Sequence, residues 1–215
     1  MISLKMISNP FQNRDLNSIL RFPTISWSSY NAFENYDKED WYQNYVLGNK
    51  SEPSNAMLFG QFIGEKLAIN PDFLPEVSRP AIYEQELHAK LDKIMLVGHL
   101  DGLTFEPKCE LLEYKTSTNP NKWNQEAVNN WGQLTFYALL LYLNFKIKPE
   151  DIKMSLTAII GQEEEDSFEI TLPKEPIIKT FQTSRNLKDI LVFGAELKVI
   201  HKKMTRFVAS KEDLR

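Results

Sequence analysis

The chain has 215 residues and carries 25 Lys and Arg against 29 Asp and Glu, a net charge of −4. At roughly 150 residues per domain this predicts one compact domain with appendages, long enough to bury a core. A hydrophobic share of 42% excludes a disordered chain, and no run reaches the roughly 18 apolar residues of a membrane span. The greasiest run, 136–143, fits a buried helix. The N-terminus has no basic flank, apolar core or small-residue cleavage site of a secretory signal, so a cytoplasmic location is expected. Cys109 is the single cysteine, which excludes an intramolecular disulfide, a thiolate zinc site and an iron–sulfur cluster.

In chain order, residues 1–24 are polar, with Pro10 and Pro23, and read as an irregular arm. Helical signals start at Ser28 as N-cap and continue through Phe33 and Tyr36, then Trp41, Tyr42 and Tyr45, giving one or two helices that end at Gly48. Met57, Leu58, Phe62 and Leu67 predict the apolar face of a short helix stopped by Asn70 and Pro71. From residue 81 the pattern changes to short apolar stretches between turn residues, read as strands over 81–89, 94–104, 110–116, 154–161 and 168–172. A long helix over about 123–145, with Trp131, Leu134, Ala138 and Leu141 on one stripe, separates the third strand from the fourth, and a final helix is expected over about 177–208. Residues 25–215 are therefore expected to form a single α/β domain, a mixed central β-sheet flanked by helices.

Asp101 ends the apolar stretch 94–100, where a strand meets solvent. Glu113 and Lys115 stand two apart in a strand and so share a face. If residues 105–109 form the connecting loop, Thr104 pairs with Glu110 and Asp101 lies opposite Glu113; a slip of one residue would put Glu113 on the wrong face. Two carboxylates brought together repel unless a divalent cation sits between them, and an all-oxygen pair favours Mg²⁺ or Mn²⁺. A lysine alongside completes a set able to hydrolyse phosphodiesters, the ammonium stabilising an attacking hydroxide or the charge developing on phosphorus. Spacing alone is weak support, because acid-x-basic strands are common on solvated faces.

Three ordered stretches carry more than spacing: Val97-Gly98-His99-Leu100-Asp101-Gly102, Leu111-Leu112-Glu113-Tyr114-Lys115-Thr116, and Gln133-Leu134-Thr135-Phe136-Tyr137. Together they resemble the signature of the PD-(D/E)XK nuclease superfamily, in particular its RecB-like and CRISPR-associated exonuclease branch. The upstream Ile25-Ser26-Trp27-Ser28-Ser29-Tyr30 and Trp41-Tyr42-Gln43-Asn44-Tyr45 are similar to that branch's opening helices. The resemblance implies a restriction-endonuclease-like core. It also implies Asp101 and Glu113 as metal ligands with the Tyr114 carbonyl as a third, Lys115 as the catalytic lysine, and Gln133 projecting to the same site with Tyr137 one turn later. Where relatives place a histidine ligand after Gly-x-x-x, this chain has Gly64, and Glu65 is the expected substitute. No cluster-binding cysteines are present, and a helicase or recombination partner would have to be a separate chain. Some related exonucleases form rings, but no oligomeric interface is legible in this sequence.

Glu84 and Glu86 are read as a solvated strand face, with one of them buttressing the site as the alternative. His99, two before Asp101, is read as packing or surface, and the acidic run 163–166 as a solvated turn. Despite the overall charge, residues 174–215 carry a net +5 against −9 for the rest. Lys198, Lys202 and Arg206 recur every fourth residue, with Lys203 adjacent, and suit a nucleic-acid backbone. Trp27, Tyr30, Trp41 and Tyr42 are candidates for stacking unpaired bases. The expected function is a Mg²⁺- or Mn²⁺-dependent deoxyribonuclease, an exonuclease of recombination, repair or phage DNA processing. The alternative is a non-catalytic nucleic-acid-binding or assembly subunit that keeps the fold.

Overall fold

The computed structural model describes residues 22–49, 52–164 and 169–213; most of the expected N-terminal arm lies outside them. Ser26, whose hydroxyl accepts from the Ser29 N–H, caps α1 (Trp27–Asn35), two residues ahead of the Ser28 expected to do so. Asp37 caps α2 (Lys38–Tyr42), which passes into a π-helical turn, Gln43–Leu47, ended by left-handed Gly48. Next comes α3 (Asn55–Ile69), capped by Ser54. It buries Phe59, Ile63 and Leu67, whereas Met57, Leu58 and Phe62 face outward. The expected apolar face was thus rotated, because the Phe59–Ile63–Leu67 row is the one that meets the sheet at Ile159.

Three antiparallel strands follow: β1 (Ile82–Leu91), β2 (Ile94–Thr104) and β3 (Cys109–Ser117). The helical segment after them is broken. Asn130 closes α4 (Gln125–Asn129), Trp131 adopts an extended conformation, and α5 (Gly132–Phe145) starts afresh. Arg185 holds this break. Its guanidinium donates to the carbonyls of Val128 and Trp131 and to the Thr135 hydroxyl. The chain then forms β4 (Ile152–Ile160) and the short strands β5 (Gln162–Glu163) and β6 (Ile170–Thr171). It ends with β7 (Ile177–Thr183) and α6 (Leu187–Glu212).

Two expectations change here. Residues 168–172 were expected to join the main sheet, but within them Ile170 and Thr171 pair only with β5 in a separate two-stranded ribbon. Residues 177–183, expected to begin the last helix, instead form the edge strand of the main sheet. They are rich in β-branched side chains, and the capping box of Asn186 and Asp189 starts α6 only after them.

The sheet order is β1-β2-β3-β4-β7, with β3 and β4 parallel and the other neighbours antiparallel. The α4–α5 segment makes the crossover between the two parallel strands, as a parallel pair requires. Beneath α5 and α6 lies the main core, with Leu96, Leu111, Phe136, Leu140 and Leu156 fully buried. A smaller core under α3 joins Phe59, Ile63, Leu67 and Ile159. With both faces covered, β4 is buried along all but Lys153, Ser155 and Thr157 included. This is a mixed sheet flanked by helices, as expected.

Candidate active site

The register of the β2–β3 hairpin is the one the site needs. Thr104 pairs with Glu110, and Gly102 with Leu112. One step further the ladder opens, and the Asp101 carboxylate, rather than a backbone carbonyl, accepts the Tyr114 N–H at 2.8 Å. Beyond this point β3 leaves β2, and Ile25, just ahead of α1, takes its place in a single parallel bridge: the Ile25 N–H donates to Met95 O and Ile25 O accepts from the Val97 N–H, each at 2.9 Å. That stitch sets Ser26, Trp27 and Ser28 at the rim of a cleft of about 420 Å³, lined also by Gly64, Glu65, Glu84, His99, Asp101, Gln133 and Tyr137.

Glu113 is completely buried behind Asp101. The Lys115 ammonium lies 2.5 Å from its Oε1 and forms a buried ion pair with it, and the other carboxylate oxygen has no hydrogen-bond donor among the described residues. Burial first, then the Asp101 charge, pushes Glu113 from an ordinary 4.5 up to about 8, against the opposing pull of Lys115. Burial alone would lower Lys115, but Glu113, Asp101 and Glu84 outweigh it and hold the ammonium above its usual range. Two neighbouring acids, one completely buried and met by a single ammonium on one oxygen, leave carboxylate oxygen available to a cation. Hard oxygen ligands suit Mg²⁺ or Mn²⁺, so the residues fit the group that the resemblance implies. Among the described residues, no three His, Cys, Asp or Glu side chains converge as a ready-made chelate.

A buried relay supports the site from α5. The Trp131 indole N–H donates to Gln133 Oε1 at 3.2 Å, Gln133 Nε2 donates to the Tyr137 hydroxyl at 2.7 Å, and that hydroxyl donates to His99 O at 2.5 Å. Gln133 and Tyr137 thus face the cleft, but both ends of the amide and the phenol are committed to holding β2 two residues before Asp101. A Cβ at Gly98 would lie 2.5 Å from the Leu140 side chain and 3.0 Å from the Tyr137 ring, so α5 can approach β2 this closely only over glycine.

The remaining expected residues scatter. Glu65 lies exposed on the cleft wall, next to Gly64, where an added Cβ would meet nothing within 4 Å. Glu86 lies outside the cleft lining and bridges His88 and His99, each at 2.6 Å. Trp41 and Tyr42 are core residues, 1% and 3% exposed, and cannot stack bases. Trp27 and Tyr30 are half-buried and line a second cleft of about 520 Å³ that shares the Trp27 wall. Lys202 and Arg206 are exposed on α6. Lys198 pairs with Asp92 at 2.6 Å, in the β1–β2 turn at the far end of the hairpin from Asp101, and Lys203 lies 3.8 Å from Glu34. The residue that the sequence reading underrated is Glu84, which lines the cleft and acts electrostatically on Glu113, Lys115 and Tyr137. The signal was present: a two-residue turn at Asp92-Lys93 sets a hairpin register that brings Glu84 across from Asp101.

The sequence model of the PD-(D/E)XK nuclease superfamily matches residues 32–207, most of the chain, and the protein belongs to that superfamily. Among solved structures it is similar to a presumed exonuclease from Eubacterium rectale, at 15% identity and TM-score 0.56, covering 98% of this chain and 88% of that one. Weaker likenesses are to SSO0001 (15% identity, TM-score 0.43, covering 82% and 75%) and to an alkaline exonuclease from Laribacter hongkongensis (14%, 0.40, covering 88% and 95%). At these identities the likeness concerns the fold. No curated protein matches the sequence.

Proposed function

We propose that the protein is a divalent-cation-dependent deoxyribonuclease, an exonuclease acting in recombination, repair or phage DNA processing. The observation that carries this reading is the junction of Asp101, Glu113 and Lys115 where β2 and β3 part, with Glu113 fully buried and ion-paired to Lys115 beside Asp101. Asp101, Glu113 and the Tyr114 carbonyl would hold Mg²⁺ or Mn²⁺, with Glu65 reaching in from the cleft wall. When bound, the ion would polarise a phosphoryl oxygen and lower the pKa of a coordinated water.

The protein's own residues supply the rest. The Tyr114 N–H fixes one Asp101 oxygen, holding this carboxylate at the wall of the cleft. The Lys115 ammonium, held charged by its acidic neighbours, stabilises negative charge developing on the phosphate. Gln133 and Tyr137 act by position, keeping the His99 carbonyl and therefore the end of β2 in place. Lys198, Lys202, Lys203 and Arg206 form a peripheral contact for the nucleic-acid backbone, strongest at the exposed Lys202 and Arg206.

The test uses end-labelled linear and circular DNA, single- and double-stranded, with Mg²⁺ or Mn²⁺. Stepwise shortening of linear molecules with circles left intact is expected. Rapid cleavage of circles would refute the end-dependent reading.

A further inference from the structure

Trp27 stands between two clefts. It belongs to the rim of the active-site cleft and to the wall of the second cleft of about 520 Å³, and a third cleft of about 630 Å³ shares Asn129, Ser184 and Arg185 with the second. The openings therefore run on from one another, from the active site past Trp27 to the break between α4 and α5. The Trp27 ring is braced on several sides. Ring centroids of Tyr30, Trp131 and Phe193 lie 5.5, 5.7 and 6.3 Å from it, and Gly132 lets α5 start directly against it. Trp27 and Tyr30 nevertheless stay only half-buried, so they form a fixed aromatic platform that a base can reach.

The second and third clefts also lie over a cation. Arg185, 6% exposed, lines both of them. Its guanidinium donates to the hydroxyls of Thr135 and Thr183 and to the carbonyls of Ser184, Val128 and Trp131, none of which carries a charge. Asp189 acts on it through space, while its carboxylate accepts the Asn186 N–H in the α6 capping box. A guanidinium stays protonated when buried, so the donors of Arg185 are used up but its charge is met by neutral groups alone. Exposed Lys188 and the positive end of α6 lie in the same lining and add to that charge. Glu196, further along α6, is an exposed acid of this cleft, so the favourable course for an anion runs on the Lys188 and Arg185 side, towards Ser184 and Asn129.

We propose that the path from the active-site cleft over Trp27 into the second cleft binds single-stranded DNA, with a base stacked on the Trp27 and Tyr30 platform and an adjoining phosphate beside Arg185 and Lys188. This rests on the nuclease reading given above and names the form of DNA that the site takes. A duplex keeps its bases stacked inside, so an aromatic face along the path serves an unpaired strand.

Fluorescence anisotropy of labelled oligothymidylate, and of a duplex of equal length, measures this in chelator, where the proposed chemistry is silent. Trp27→Ala is expected to weaken single-strand affinity about 10-fold, within the cost of one lost base–aromatic stack. Lys188→Ala should lower the slope of log affinity against log salt by roughly 0.7, as for one phosphate contact on a single strand. Duplex affinity should change less than about twofold in either variant. Lys188 is exposed, so its variant keeps the test decisive if circular dichroism melts show that Trp27→Ala fails to fold. Single-strand affinity and salt slope equal to the parent's in both variants would overturn the inference, and that is the result expected if a protein partner fills the cleft instead. Equal losses for duplex and single strand would overturn it as well. Either result leaves the nuclease reading intact as long as the parent degrades DNA with Mg²⁺ or Mn²⁺. Single-strand binding that depends on both residues, in a protein that degrades no DNA with either metal, would support the path and remove the nuclease reading.

Discussion

Glu113 concentrates the conflict between stability and function in one side chain. A carboxyl raised to about 8 in the folded protein, against 4.5 ordinarily, means that the native state holds a proton the unfolded chain would release. Stability is therefore lost as pH rises between those two values. In chelator, melting temperature should fall from pH 5 to pH 8 and level off above, while Glu113→Gln should melt nearly independently of pH over that window and higher than the parent at pH 8. A parent whose melting temperature rises over the same interval would contradict this account of the site. Tyr137 makes a second case. Its hydroxyl joins Gln133 to His99 O inside the protein, so Tyr137→Phe should cost about 1–2 kcal/mol in denaturant unfolding, the usual penalty for orphaning a buried carbonyl. Cleavage rate should fall with substrate affinity little changed. Asp101, Glu113 and Lys115 could be read from the sequence because a strand's two-residue period and a short loop fix their relation. For Glu84 only half was legible: the Asp92-Lys93 turn sets the register that places it across from Asp101, but nothing in the sequence marks its left-handed backbone.

Among the elements, the strands that build the site were the easiest to anticipate. Strands β1 to β4 fall close to their expected ranges, since alternation and turn residues agree there. The elements that went wrong depend on tertiary contacts. The break between α4 and α5 has no proline; it is held by Arg185, 50 or more residues away in sequence from most of the groups it binds. It also depends on Gly132, where an added Cβ would lie 2.5 Å from the Trp27 ring. Gly132→Ala should therefore destabilise by about 1–3 kcal/mol through overpacking and displace Trp27 from the cleft rim, visible as a change in tryptophan fluorescence. Unchanged stability and emission would show that the two residues are not in firm contact. Strand β7 was read as helix because its apolar residues run straight into those of α6; only the Asn186–Asp189 capping box marks the boundary.

At the scale of the whole molecule, the net charge of −4 hides a division of labour: acids gather at the cleft, and the C-terminal segment carries the positive excess. Along α6 the stripe is partly neutralised, with Lys198 and Lys203 facing Asp92 and Glu34, so Lys202 and Arg206 should carry most of any contact to phosphates. Replacing both by Ala should reduce the slope of log affinity for DNA against log salt by roughly one per residue, without altering Mn²⁺ affinity. An unchanged slope would remove α6 from the nucleic-acid path. The membership of the PD-(D/E)XK superfamily and the parting of β2 and β3 over Asp101, Glu113 and Lys115 make one claim central: this junction hydrolyses phosphodiester bonds. The most direct test is the rate at which linear DNA is degraded with Mg²⁺ or Mn²⁺ by the parent protein and by Lys115→Ala. Degradation by the parent that stops in chelator and is abolished in Lys115→Ala is the predicted result. A Lys115→Ala protein that degrades DNA at the parent rate would contradict it.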